Sequence, residues 1–517
     1  MPGLLRLGAL AAFVAAPALA QTPLESPSPE PSGRFGAAVS SLGTLPGDAT
    51  RDVLVGAPGE TVGGASAAGR AYAVSGADGS VLLTLEPASP IANGQFGSAV
   101  LSGGDLDGDG VADPVVGAMG ETVGTNERAG RVYVFSGADG SLLHTLESPF
   151  PVPVGLFGSS LARLADRDGD GVNEIVVGAP QEQGDPAAPN PENSGAYHIF
   201  SGATGALISS ASFPQEDARL GGALTTLDLQ NDGTAEVLAS VAAWSGSTAS
   251  GGVTVEAAST PYLLPPAPAT TPAFGASLDA VGDRDGDDVS EVLVSATDSV
   301  FVFSGASGTL LLSVASPEGP GGAFGWSAAG AGNVDEAGAG DLIVGAISES
   351  VRGIANAGRV YLFSGDDGAV LRQFTSPMAQ TLGQFGYAVA LAGAVDGDNT
   401  ADQIVGAPGE TVDGHEGAGR AYLLLSATAV AGEPAPSAAL TLRAHPNPAS
   451  GTLRLAAETS GRGTLIVTDA LGREVARAVA APGRELALDV SGWAPGLYLA
   501  RLTSEAGTAT RTITVVR

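Results

Sequence analysis

A Phe-Gly pair recurs along this 517-residue chain at residues 35, 96, 157, 274, 324 and 385, and Leu220-Gly221 stands in the same place in one further copy. The glycines at 36, 97, 158, 221, 275, 325 and 386 are separated by 61, 61, 63, 54, 50 and 61 residues. Periods of this size belong to repeat architectures, in which each unit buries its apolar face only against its neighbours. Each copy reads as a strand ("FGSAVLSGG"), an acidic loop, a strand ("PVVGAMG"), a variable loop, a strand ("GRVYVFSG") and, after the turn "ADG", a fourth strand ("SLLHTLESP"). Four antiparallel strands repeated seven times predict an all-β chain built on a seven-bladed β-propeller.

The last copy lacks a fourth strand, because "GRAYLLLS" runs into "ATAVAGEPAPSA". The missing piece lies at the other end. "LESPSPEPSGRFG" (24–36) matches "LESPFPVPVGLFG" (146–158) in Leu, Glu, Ser, three prolines and the closing Gly, Phe and Gly, all in register. The N-terminal stretch is therefore expected to complete blade seven and leave the ring without a free edge.

The acidic loops carry the chemistry. In "DLDGDGVAD" the side chains of Asp105, Asp107, Asp109 and Asp113 and the carbonyl of Val111 offer oxygens at the spacing a hard cation needs, and Gly110 permits the sharp turn. An EF-hand would place Glu at its twelfth position between helices; here that position is Val116, in the β-branched run "PVVGA". A calcium loop between two strands is the expectation. "DRDGDGVNE" repeats it with Asp166, Asp168, Asp170, Val172 and Glu174, and "DRDGDDVSE" with Asp283, Asp285, Asp287, Val289 and Glu291, Asp288 taking the glycine slot. "DLQNDGTAE" offers Asp228, Gln230, Asp232 and Glu236, the carboxamide oxygen replacing one carboxylate. "NVDEAGAGD" (Asn333, Asp335, Asp341) and "AVDGDNTAD" (Asp396, Asp398, Asp402) each lack one side-chain ligand, and "TLPGDATRD" keeps only Asp48 and Asp52.

Phe-Gly, the acidic loop and "GAP" (56–58, 178–180, 406–408) together resemble FG-GAP repeats, as in the integrin α-subunit propeller, over residues 22–430. The resemblance implies the propeller fold and calcium as the bound ion. It leaves the ligand open.

Composition narrows the partners. The net charge is −32, all 23 basic residues are Arg, and there is no Cys, which argues against nucleic acid and anionic lipid and excludes disulfides and thiolate chemistry. "MPGLLRLGALAAFVAAPALAQ" reads as a secretory signal peptide ending at Ala20, and no later apolar stretch reaches the ~20 residues of a membrane span. The C-terminal stretch, with "HPNPASG", "DALGRE" and "GLYLARL", has the short alternating strands of a small β-sandwich and resembles the sorting domain of the type IX secretion system. His445 stands where that family often carries an aromatic residue. The expected division is a signal peptide at 1–20, a propeller at 21–430, a linker at 431–439 and a sorting domain at 440–517, giving a secreted or surface-held protein.

No catalytic constellation emerges. His144, His198, His415 and His445 have no recurring Ser or acid partner, and the acids are spaced for ligation rather than paired for glycoside hydrolysis. Aromatics such as Tyr133, Phe135, Tyr361 and Phe363 alternate along third strands and suit packing between blades. Trp244, Trp326 and Trp493 do not follow the repeat, unlike the docking tryptophans of quinone-dependent propellers. An adhesion or recognition module with no catalytic residues is the leading reading, and an extracellular hydrolase or polysaccharide-processing enzyme is the alternative. Antiparallel blades put the acidic loops and "SGADG" turns on one face and the second-to-third loops, such as "GETVGTNERA" (120–129) and "QEQGDPAAPNPENS" (181–194), on the other. Variable loops on a rigid scaffold are the usual place for recognition of a protein or polysaccharide.

Overall fold

The computed structural model describes residues 21–426 except 48–49, 184–192, 243–250, 257, 259–260, 267–272, 336–337 and 399, and residues 441–515 except 446–450, 459–462, 470–472, 481–484, 495 and 505–506. The segments expected to be a signal peptide (1–20) and a linker (431–439) lie outside the described residues. The chain divides into two compact units at Ser426/Ala427. No described residue is helical.

The first unit contains seven antiparallel sheets in chain order. They span 38–85, 96–146, 160–212, 224–255, 278–315, 324–374 and 389–424, and are called blades 1 to 7 below. The first strand of each blade contacts the first strand of the next, and Val389–Gly393 of blade 7 contacts Ala38–Gly43 of blade 1, so the cyclic order closes as in a β-propeller. Blade 7 takes its fourth strand from the start of the chain: Gln21–Glu25 pairs antiparallel with Arg420–Leu424, with Leu24 opposite Ala421.

Blade 4 departs from the four-strand expectation. Its described sheet has three strands, and beyond them only an isolated bridge joins Val253 to Leu263. The segment that follows, "TPYLLPPAPATTP", holds five prolines, which lack the N–H a ladder requires.

The repeated glycines have a steric cause. Gly97 of blade 2 has φ of +86°, and a methyl group on Gly56, the glycine of "GAP" in blade 1, would run into its carbonyl. Gly117 and Gly158, Gly345 and Gly386, and Gly406 and Gly36 meet in the same way across their junctions. Only residues without a Cβ let neighbouring backbones approach so closely. The Phe beside each glycine fills the space between blades. Phe96 lies 5.5 Å from Tyr133 and 5.9 Å from Phe135, in a cluster with Leu42, Leu54 and Leu85 of blade 1. Tyr361 and Phe363 likewise pack with Val281, Leu293 and Val302 of blade 5. These buried rings account for the alternation read along the third strands.

The first strands line a channel with two cavities of about 590 and 530 Å3, whose walls share Ser40, Ser41, Asp279 and Ala280. The second unit is a sandwich of a three-stranded and a four-stranded sheet around Leu453, Leu465, Val467, Val490, Tyr498, Ala500 and Val515.

Candidate metal loops and buried acid clamps

Each acidic loop connects the first strand of a blade to the second. In blade 2 the loop curls around Asp105, whose Oδ1 and Oδ2 accept the amides of Gly108 and Gly110 at 2.7 and 2.9 Å. Asp107 and Asp109 accept the amides two residues on, at 3.1 and 2.8 Å. Asp113 is buried, and its Oδ2 accepts Leu106 N–H at 2.7 Å. Blade 3 repeats the pattern with Asp166, Asp168, Asp170 and Glu174. Blade 5 does so with Asp283, Asp287 and Glu291, and Asp288 in the glycine slot takes φ of +67°.

These turns bring three carboxylates together. One oxygen from each of Asp105, Asp107 and Asp113, of Asp166, Asp168 and Glu174, and of Asp283, Asp285 and Glu291 lies within 4.8 Å of the others. Asp109, Asp170 and Asp287 stand outside these groups, with Oδ1 occupied by the amides of Val111, Val172 and Val289. Blade 7, one ligand short in sequence, gathers Asp396, Asp398 and Asp402 equally closely.

The carboxylates fit a cation. Burial raises the pKa of Asp113, Glu174 and Glu291, and the neighbouring charges of Asp107, of Asp168 and Asp166, and of Asp285 push each the same way. Asp402 is pushed up to about 6 by burial and then by Asp396 and Asp398. Glu174 keeps a buried Oε2 with no hydrogen-bond partner. A positive ion between such groups would offset both costs.

The remaining loops differ. Asp228, Asp232 and Glu236 of blade 4 form no such group among the described residues. The Gln230 carboxamide lies against the Glu236 carboxylate and, in the orientation that satisfies both, donates to it. In blade 6 Asp341 Oδ2 accepts the amides of Val334 and Asp335 at 2.6 and 3.1 Å, and Asn333 borders the channel. In blade 1 Asp52 accepts Leu45 N–H at 2.7 Å, while Asp48 lies outside the described residues.

A second set of acids sits at the opposite ends of the blades, where sequence reading found no function. Glu60, Glu121, Glu349 and Glu410 are buried, and each accepts the hydroxyl of the tyrosine twelve residues on, Tyr72, Tyr133, Tyr361 and Tyr422, at 2.5 to 2.8 Å. Arg70, Arg131, Arg359 and Arg420 complete the clamps at 3.0 to 3.3 Å. Burial raises the pKa of all four carboxyls, and the hydrogen bonds of the clamp act against it. The recurring Glu and Arg-x-Tyr was the available signal. Blade 3 puts His198 in the tyrosine slot, 3.3 Å from Glu182 and 2.8 Å from Ser210 Oγ. His198 is wholly buried and replaces a phenol in a packing clamp. His144 approaches the Ala203 carbonyl, and His415 belongs to the turn with Val412.

A β-propeller carrying repeated acidic loops is the class that fold and site define. Residues 96–135 match the FG-GAP repeat, and residues 443–516 match the secretion system C-terminal sorting domain. The chain is 34% identical over 187 residues to Integrin alpha-5 of Xenopus laevis, covering 34% of this chain and 16% of that one. It is 36% identical over 156 residues to Integrin alpha-IIb of Homo sapiens, covering 26% and 14%, and 34% identical over 117 residues to Integrin alpha-2 of Mus musculus, covering 22% and 9%. The matches thus span less than a fifth of the length of these curated relatives. The C-terminal match marks the chain for export to the cell surface or beyond it and implies contact with the secretion machinery. No helix of the described residues is long and apolar enough to cross a membrane. Together these define an exported β-propeller chain whose repeats are similar in part to integrin α-subunits.

Proposed function

We propose that the chain is a calcium-loaded recognition module that binds its partner, a protein or polysaccharide, through the face carrying the second-to-third strand loops. Calcium would be held by Asp105, Asp107 and Asp113 with the Val111 carbonyl, and by the corresponding residues of blades 3, 5 and 7. Asp109, Asp170 and Asp287 would complete the shell where their second oxygens turn inward. The ion supplies charge compensation and holds the loops, so its role is structural.

The observation that carries this reading is the difference between the two faces. One bears four closely similar acid triads that could hold an ion. The other bears loops from the two-residue turn at Thr297-Asp298 to the long insertion at 181–194, of which 184–192 lie outside the described residues. Rigid blades with divergent loops are a common platform for recognition. The proposed domain limits follow the sequence: signal peptide 1–20, propeller 21–430, linker 431–439, sorting domain 440–517. The test is binding of the purified chain to glycan and matrix-protein arrays with and without calcium. Replacement of 183–193 by a short Gly/Ser linker should reduce capture and leave the calcium response intact. Capture that survives this change and is lost on mutating the acidic-loop face would reverse the assignment. Turnover of an array glycan would favour a hydrolase.

A further inference from the structure

The residue after each Phe-Gly or Leu-Gly pair lies within the first strand of its blade or one to two residues before it, at the end away from the acidic loops. Around the ring these residues are Ala37, Ser98, Ser159, Gly222, Ala276, Trp326 and Tyr387. Five are small. The two aromatic residues are neighbours, in blades 6 and 7, with ring centroids 5.5 Å apart and planes inclined at 47°. Trp326 is 48% exposed, although nothing in the packing of a blade requires a large apolar ring there. Across the next junction the Arg34 guanidinium lies 5.4 Å from the Tyr387 ring centroid and donates from Nη2 to its hydroxyl at 3.0 Å. Arg34 also walls an adjoining cavity of about 580 Å3, with Thr381, Leu382, Gln384, Thr411 and Glu416.

We propose that Trp326, Tyr387 and Arg34 form a docking platform for a neutral glycosyl unit, whose hydroxyls enter the adjoining cavity. This rests on the reading of that face as the recognition surface and names the chemistry it takes. An exposed indole offers a flat, electron-rich face to the C–H groups of a pyranose ring, and Tyr387 extends it. The cavity has the size of a small-ligand site and offers donors and acceptors in roughly equal measure from Arg34, Gln384, Glu416 and two threonines. A cationic ligand is disfavoured because Arg34 already holds the Tyr387 face, and an acidic one because Glu416 and a net charge of −32 oppose it. A purely apolar side chain would leave the polar cavity walls without partners.

The experiment uses the full chain with calcium, titrated with neutral gluco- and manno-hexasaccharides and, for contrast, an alginate hexamer. Binding is read by calorimetry and by the change in tryptophan emission. At least one neutral hexasaccharide should bind, Trp326→Ala should weaken it ten-fold or more with the melting temperature unchanged, and Arg34→Gln should weaken it several-fold. Absence of neutral-sugar binding, preference for alginate, or binding indifferent to Trp326→Ala overturns the platform. The outcomes separate the two levels. Matrix-protein capture lost on replacing 183–193, with no neutral hexasaccharide bound or with its binding indifferent to Trp326→Ala, removes the platform and leaves the recognition face. Capture that depends only on the acidic-loop face removes both.

Discussion

Asp113 accepts the backbone N–H of Gly137 at 2.8 Å, tying the end of the acidic loop to the turn between the third and fourth strands of the same blade. The same bond joins Asp52 to Gly76, Glu291 to Gly305, Asp341 to Gly365 and Asp402 to Ser426. The last acid of the motif is therefore a buried clamp as well as a candidate ligand. This explains why loops that have lost their other carboxylates keep it.

Clamp and ligation separate in blade 6, which gathers no acid triad among the described residues. Asp341→Ala leaves three amides without their acceptor and should cost about 3 kcal/mol. Its response to chelator should match that of the unaltered chain. Melting curves with and without chelator decide it: a mutant that also loses part of the calcium response would assign an ion to that loop.

Calcium itself should stabilise the propeller. With a dissociation constant of about 10⁻⁴ M and calcium at about 1 mM, each of four loops contributes roughly 1.4 kcal/mol, about 5 to 6 in all if they act independently. Chelation should lower the melting temperature, and Asp168→Ala should reduce that drop. A melting curve unmoved by chelator would remove calcium from the account.

Deleting residues 22–33 should expose Arg420–Leu424 as an unpaired edge and break the Arg420–Glu25 ion pair of 2.6 Å. Size-exclusion chromatography should then show self-association together with lower stability. A monomeric variant of unchanged stability would make the segment dispensable.

Asp279 projects into the channel between blades 5 and 6, where burial pushes its pKa up to about 6 against the pull of the amides of Gly330 and Ala280. The folded value exceeds the unfolded one, so the folded state binds the proton more tightly. Its contribution is present below pH about 4 and is lost as pH rises towards 6. Asp279→Asn should raise stability at pH 7 by on the order of 1–2 kcal/mol, less than the full shift implies because Asp279 is only half-buried, and should flatten the profile between pH 4 and 6. A profile parallel to that of the unaltered chain would acquit this carboxyl.

Truncation after residue 432 should leave the propeller folded but retained in the cell envelope of a host with the matching pathway. Fractionation reads this directly. Surface display of the truncated chain would show that export does not need the C-terminal domain.

The all-β repeat was legible because its constraints are local in sequence. Phe-Gly and the glycine of "GAP" mark the places where two blades meet, and alternating apolar runs mark the strands between them. Backbone curl within the acidic loops was legible too, since aspartates at alternate positions cap the amides two residues on. Which oxygens converge was not, because that depends on χ angles that spacing does not fix. Asp396, Asp398 and Asp402 close into a group despite a missing ligand, whereas Asp228, Asp232 and Glu236 form none among the described residues. The Glu–Tyr–Arg clamps were hidden for a different reason. Their members lie on opposite sides of the variable loop, and in blade 3 an insertion and a histidine obscure the spacing. The three-strand sheet of blade 4 was missed, because the repeat was extended to all seven copies without weighing the five prolines of 260–272.

The placement of Arg420–Leu424 has a mechanical consequence. This strand lies between Gln21–Glu25 on one side and Asp402–Ala407 on the other, and it is the last strand before the chain leaves the first unit. Any pull transmitted along the backbone from the C-terminal side enters the ring here. It meets two hydrogen-bonded ladders at once, one of them built by residues nearly 400 positions earlier in the chain. A terminal strand held on one side only could be peeled away bond by bond; a strand held on both sides must shear two ladders together, so the point where load arrives is also where the ring is fastened.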